Sequence, residues 1–242
     1  MIDLHDMGGT PMLIKHLIYA GVLDGSQPTL FASSLAEQVK DAPDIPKGND
    51  LIAPIGEPYK IFADMQICFG SLAPDGIIFK VSSHENPTFE GKAICFDDVE
   101  SLVIAVSGNR VKPGHVVVLR GMGPVAMGMP EVLVATSALS TPELDGKVAF
   151  VSDTRVSGVS HGAIGVHCAP EAAVGGPIAF VEDGDSISID LLKGEINWNG
   201  DLDLGSSSPF KGYAGPEIYL REFCQSVTQA DRGCVNKSLI EN

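Results

Sequence analysis

Lys112-Pro113-Gly114-His115-Val116-Val117-Val118-Leu119-Arg120-Gly121-Met122-Gly123-Pro124-Val125-Ala126-Met127-Gly128-Met129-Pro130-Glu131 is the stretch on which the fold turns. A Lys-Pro-Gly turn leads into an uninterrupted apolar run, which reads as a buried strand. Gly121 to Ala126 then fits G-x-G-x-x-A, the pattern that opens a dinucleotide-binding, doubly wound sheet. Two features argue against that fold. Pro124 removes an amide that would cradle a pyrophosphate, and no second βαβ unit follows. The stretch reads better as a glycine-rich loop that delivers Glu131 to the first turn of a helix whose first residue is Pro130. A carboxylate there is favoured by the helix dipole and suits a hard cation, or it is simply a first-turn acid.

Working outward, short β-like runs lie at 77–81, 92–96, 115–120, 147–152, 178–182 and 186–190, with a weaker one at 195–198. Pro74-Asp75-Gly76, Lys112-Pro113-Gly114, Asp145-Gly146 and Asp183-Gly184 punctuate them. Two helices interrupt the series. One spans Asp98–Val106, with Val99, Leu102, Val103 and Val106 on one face, and the other begins near Pro130. The order β-β-α-β-α-β-β-β is not a doubly wound alternation. It predicts a β-rich α/β domain closed or half-closed into a barrel.

On the N-terminal side, Thr10 can cap a helix with Pro11 at its first position and Met12, Leu13, Ile14, Leu17 and Ile18 at helical spacing. A second helix is predicted over about residues 33–40. Residues 41–58, rich in Pro, Gly and Asp, read as a linker. The division expected is therefore a helical stub with linker over 1–58, the barrel-like domain over 59–200, and a tail with one helix over 201–242. The stub is too small to fold alone, and its helices are expected to pack on the barrel.

Composition excludes several functions. With 31 acidic and 16 basic residues the formal charge is −15, which disfavours nucleic acid and anionic membrane as partners. No apolar run is long enough to span a bilayer, and the start carries no signal-peptide pattern. Five cysteines, at 68, 95, 168, 224 and 234, include no CxxC pair. That argues against a disulfide framework or a local zinc site and for a reducing cytoplasm.

Two further segments gather glycine and polar residues where strands end. Gly70-Ser71-Leu72-Ala73-Pro74-Asp75-Gly76 reads at least as a tight turn. Ser152-Asp153-Thr154-Arg155-Val156-Ser157-Gly158-Val159-Ser160-His161-Gly162 contains a literal G-x-S-x-G. A hydrolase elbow needs a later acid and then a later histidine, and the order here fails that requirement. His161, His167 and Cys168 match no common metal spacing.

Taken together these segments resemble the C-terminal part of the dihydroxy-acid and sugar-acid dehydratase family, the tail being most similar to the pentonate (xylonate-type) branch. The residues that carry the resemblance are Gly70–Gly76 with Lys80, Asn86-Pro87, Phe89–Ala93, Gly123-Pro124, Gly128-Met129-Pro130-Glu131, Thr136–Leu139, Asp153–Gly158, His167–Ala172 and Gly175–Ile178. Leu4-His5, Gly8–Pro11 and Gly21–Gly25 resemble the last helix of the family's first domain. The resemblance implies a swivelling β/β/α barrel and a hydro-lyase that converts 2,3-dihydroxy acids to 2-keto acids.

By the resemblance, Ser157 is the catalytic base. It takes the C2 proton as an alkoxide stabilised by nearby positive charge, while an iron–sulfur cluster holds the departing C3 hydroxyl. Glu131 matches a Mg²⁺ ligand, and Arg155 and Asp75 are placed at the substrate. The same cleft is expected to hold Ser157 and Glu131, with Asp75 nearby. The family's cluster cysteines and remaining Mg²⁺ ligands belong to its first domain, so no cysteine here carries over as a cluster ligand. The chain alone is then expected to bind no cofactor and to require a complementary N-terminal domain or partner chain. The apolar face of residues 12–18 favours a homo-oligomer. A non-catalytic remnant or small-molecule-binding module of the same fold is the alternative. Departures from the family are Ser71, Val156 and Thr154, the last adding a β-branched side chain close to Ser157.

Overall fold

A computed structural model describes residues 1–59, 64–80, 87–158, 160, 162–200 and 208–240. The chain divides into two units, Met1–Ile61 and Phe62–Asn242. In the first, α1 (Ile2–Met7) and α2 (Gly9–Tyr19) meet at Gly8, whose φ of 130° turns the chain between them. Helix α2 thus starts just before the predicted Thr10–Pro11 boundary. Its Met12 is fully buried. Helix α3 (Leu35–Val39) is capped by the Ser34 hydroxyl, which accepts from the Glu37 amide at 3.1 Å. Lys15 donates to the Ala42 carbonyl at 2.7 Å and pairs with Asp44 at 2.8 Å, fixing the start of the predicted linker.

The second unit is built on eight strands: β1 (Met65–Cys68), β2 (Gly76–Lys80), β3 (Thr88–Phe96), β4 (His115–Leu119), β5 (Ala149–Ser152), β6 (Ala163–Ala169), β7 (Ser186–Asp190) and β8 (Glu195–Trp198). They form one sheet in the order β1-β2-β6-β5-β4-β3-β7-β8. The four central strands, β6, β5, β4 and β3, run parallel, and an antiparallel pair flanks them on each side. The two edges meet. Phe69 bridges to Glu195, with the Phe69 amide on the Gly194 carbonyl and the Ile196 amide on the Phe69 carbonyl, both at 2.9 Å. The Ser71 hydroxyl accepts from the Trp198 amide at 2.8 Å. Gly70 is required at this seam: a Cβ there would lie 1.9 Å from the Ile196 carbonyl oxygen. The sheet is therefore a nearly closed barrel in a mixed α/β domain.

Why β4 and β5 are almost wholly apolar follows from this arrangement. Val116 and Val118 of β4, with Ala149 and Val151 of β5, face an interior core that also holds Ile77, Phe79, Ile187 and Trp198. Val117, Leu119 and Phe150 face a second core outside, closed by Leu102 and Ala105 of α4 (Val99–Ser107) and by Ala135 and Leu139 of a later helix, Leu133–Leu139. Asp98 caps α4 by accepting from the Ser101 amide at 2.7 Å.

Three elements differ from the sequence reading. Residues 178–182, expected as a strand, lie instead in and after a 3₁₀ turn, Pro177–Phe180. They are apolar because Ile178, Ala179 and Val181 plug the interior core. Pro177 starts that turn, and Gly176 passes so close to Pro170 that a Cβ would sit 1.8 Å from its carbonyl oxygen. Conversely β1 and β6 were not expected. In β6 the alternation is broken at Gly165, where a Cβ would meet the Phe79 ring at 2.6 Å.

Among the described residues no helix is long and apolar enough to cross a membrane.

Candidate functional site

The loop after β4 is held by two buried carboxylates. Asp153, just past the end of β5, accepts from the amides of Gly121 at 3.0 Å, Met122 at 3.1 Å and Ala172 at 3.1 Å. Glu171 accepts from the amides of Val125 at 2.8 Å and Ala126 at 3.0 Å, at the start of a short helix, α5 (Pro124–Met127). Gln229 closes the clamp, its side-chain amide donating to Glu171 at 2.6 Å and accepting from the Glu171 amide at 2.9 Å. Both carboxylates are fully buried. The amides that a G-x-G-x-x-A loop would turn to a phosphate are thus already satisfied by a protein carboxylate. The tail packs here too: a Cβ on Gly128 would lie 2.6 Å from Leu220 of a C-terminal helix, Ile218–Ser226.

Burial pushes the Asp153 carboxyl up from 3.8 to about 6, with the Glu171 charge adding to the rise and the three amides opposing it. A folded-state value above the ordinary one means that folding favours the protonated form. The stability from this group is fully present below about 3.8 and lost as pH rises through about 6. Relative to Asp153→Asn, the wild-type domain should lose about 2 kcal/mol between pH 4 and pH 8. Urea midpoints of both proteins across that range check it.

Glu131 does not occupy the first turn of a helix. The helix, α6 (Leu133–Leu139), begins after Val132, and Pro130 is not its first residue. The reason lies across the chain: Glu131 forms a parallel β-bridge with Arg155, and the Val132 amide donates to the Arg155 carbonyl at 3.2 Å. The buried Thr154 hydroxyl donates to the Pro130 carbonyl, tying the same two segments together. Glu131 and Arg155 are both exposed. The bridge sets the two residues side by side on neighbouring segments.

The described residues of the connection that follows, within 153–162, carry no helix, although it joins the parallel strands β5 and β6. Ser157 lies in it, half-buried, its carbonyl accepting from the Ser160 amide at 3.2 Å. One residue, Val156, separates Ser157 from Arg155. His161 lies outside the described residues.

Asp75 is exposed in the turn before β2, its amide donating to the Ala169 carbonyl at 3.1 Å. It lines a cavity of about 270 Å³ with Ile67, Phe69, Ile78 and His167. Ser157 and Glu131 are not among the lining residues of that cavity. The sequence reading sets His167 aside as a metal ligand and gives it no site role, yet the structure links it to both groups of residues. Its amide donates to the Thr154 carbonyl at 2.9 Å, and burial with the Arg155 charge lowers its pKa. Its positive φ of 59° is unusual for a residue other than glycine, and is the local feature that marks it.

Among the described residues no three His, Cys, Asp or Glu side chains converge as a metal site. One exposed carboxylate does not enclose Mg²⁺, which holds its water until several oxygens replace it. An iron–sulfur cluster needs thiolates. All five cysteines are free, but burial raises Cys68 to about 11 and Cys95 to about 12, and raises Cys168, Cys224 and Cys234 as well. The cysteines of this chain do not fit a cluster.

Residues 50–234 match the family model described as dihydroxy-acid/6-phosphogluconate dehydratase, C-terminal. Similar proteins include the mitochondrial dihydroxy-acid dehydratase of Aspergillus fumigatus, 37% identical over 99% of this chain and 42% of its own length. The dihydroxy-acid dehydratase of Francisella tularensis subsp. novicida is 39% identical over 97% of the chain and 43% of its length. The chloroplastic dihydroxy-acid dehydratase of Arabidopsis thaliana is 36% identical, over 97% and 40% respectively. The chain thus spans less than half the length of these relatives, and none of the three is named for a pentonate. Its match over most of its length, on a barrel whose loops bring Glu131 and Arg155 together, places this chain in the dihydroxy-acid/6-phosphogluconate dehydratase family, as its C-terminal domain.

Proposed function

We propose that this chain supplies one half of a hydro-lyase active site that converts a 2,3-dihydroxy acid to a 2-keto acid. It does so when joined by the part of the relatives that it does not span. Ser157 takes the proton from C2, Glu131 contributes one oxygen to a divalent cation completed by the other half, and Arg155 and Asp75 bind the substrate. The chemistry at the departing C3 hydroxyl belongs to that other half, because no cysteine here suits it. The names of the relatives favour dihydroxy acids over pentonates as substrate. Self-association and a reducing, cytoplasmic setting complete the reading, the latter supported by five free cysteines.

The observation that carries this reading is the bridge between Glu131 and Arg155, with Ser157 two residues further along. It sets a residue bearing a carboxylate beside one whose guanidinium can grip a substrate carboxylate, with a hydroxyl two residues further along the second segment. The test is anaerobic reconstitution with iron, sulfide and Mg²⁺, followed by turnover of a panel of branched 2,3-dihydroxy acids and pentonates. The chain is assayed alone and with the unmatched N-terminal portion of the Francisella relative. The expected result is a colourless, inactive chain that gains keto-acid formation on complementation. Turnover by the chain alone would overturn the division of labour.

A further inference from the structure

We propose that Lys80 is the positioning residue for Ser157, its ammonium fastening the turn that carries the hydroxyl. This rests on the reading of Ser157 as the base. On β2, Phe79 points into the barrel interior, so its neighbour Lys80 projects outward, paired in register with Ile164 of β6. From there its Nζ donates to the carbonyl oxygens of Gly158 and, at 2.7 Å, Ser160.

Two carbonyl dipoles aimed at one point repel each other, and a cation between them reverses the sign of that interaction. The same turn holds the hydrogen bond from the Ser160 amide to the Ser157 carbonyl. The Ser160 hydroxyl adds a buried bond of 2.9 Å to Thr136 on α6. The bridge to Glu131 orders this connection only as far as Arg155, so the turn beyond it depends on such anchors, and Lys80 supplies a charged one. With the ammonium gone, the carbonyls of Gly158 and Ser160 would turn to water and the turn around Ser157 would open.

The test compares wild type, Lys80→Met and Lys80→Arg in the full chain by amide hydrogen exchange and thermal melting. In Lys80→Met the Ser160 amide should exchange about tenfold to a hundredfold faster, the loss expected for a charged hydrogen bond, while strand amides of β4 and β5 hardly change. Lys80→Arg should restore most of the protection. In the complemented enzyme, Lys80→Met should lower kcat by about the same factor with KM little changed, and Lys80→Arg should recover it. Unchanged exchange at Ser160 in Lys80→Met would overturn the proposal. So would a loss of protection spread over the whole barrel that arginine does not repair. Full turnover in Ser157→Ala, beside fast exchange in Lys80→Met, would sink the base assignment and leave the anchoring intact.

Discussion

Replacing Ser157 by alanine should lower kcat of the complemented enzyme by about 10³, within the range that a positioned proton acceptor contributes, and leave the barrel folded. The fold is spared because the turn is made by backbone. The Ser157 carbonyl accepts from the Ser160 amide, and alanine keeps that carbonyl. The effect on rate is large because, among the described residues of this connection, the other groups are buried or lack a proton acceptor. Ser160 is buried against Thr136, and Arg155 carries no proton acceptor. The measurement is single-turnover loss of the C2 hydrogen, with deuterium at C2 to show that this bond breaks in the slowed step. A drop of less than tenfold would remove Ser157 from the chemistry and return the role to another residue.

Glu171→Ala should be the most damaging single substitution in the barrel, costing about 3–5 kcal/mol, the range seen when one partner of a buried charged network is removed. Alanine would orphan the Val125 and Ala126 amides and the Gln229 side chain at once, each now buried without an acceptor. It would also open a hole beside Gly123, where the carboxylate now packs so tightly that a Cβ would lie 2.2 Å from its oxygen. Because the Glu171 charge helps to raise the Asp153 carboxyl, the same substitution should bring the Asp153 titration closer to its ordinary value. Urea unfolding and a carboxyl ¹³C titration measure the two effects. A loss under 1 kcal/mol would mean that water replaces the carboxylate and that the clamp is not what holds this loop.

How far the sequence discloses these features depends on whether the cause is local. Strand β4 and helix α4 are legible because Val116–Leu119 and the spacing of Val99, Leu102 and Val106 express burial that each element meets by itself. Strand β6 is hidden because Gly165 is small for the sake of Phe79, on a strand distant in sequence. Residues 178–182 mislead in the opposite sense, being apolar to fill a barrel and not to build its wall. Glu131 was singled out for its neighbours, but its setting comes from Arg155, and a proline two residues before the true cap suggested a helix start that the bridge forbids. Glu171 had a signal that could have been read. A lone acid in Cys168-Ala169-Pro170-Glu171-Ala172-Ala173-Val174 is either exposed on a turn or buried against several donors, and it is the latter.

The seam between Phe69 and Glu195 has a consequence for how such a domain travels between genes. Because the first and last strands are bonded neighbours, the barrel enters and leaves its own fold at one place on its surface. A module with adjoining ends can be appended to another domain, inserted into a loop or encoded separately without pulling its strands apart. With its edges joined at this seam, the sheet leaves a neighbouring copy only the short outer sides of β1 and β8, a smaller target for the edge-to-edge polymerisation that an open sheet of this size invites.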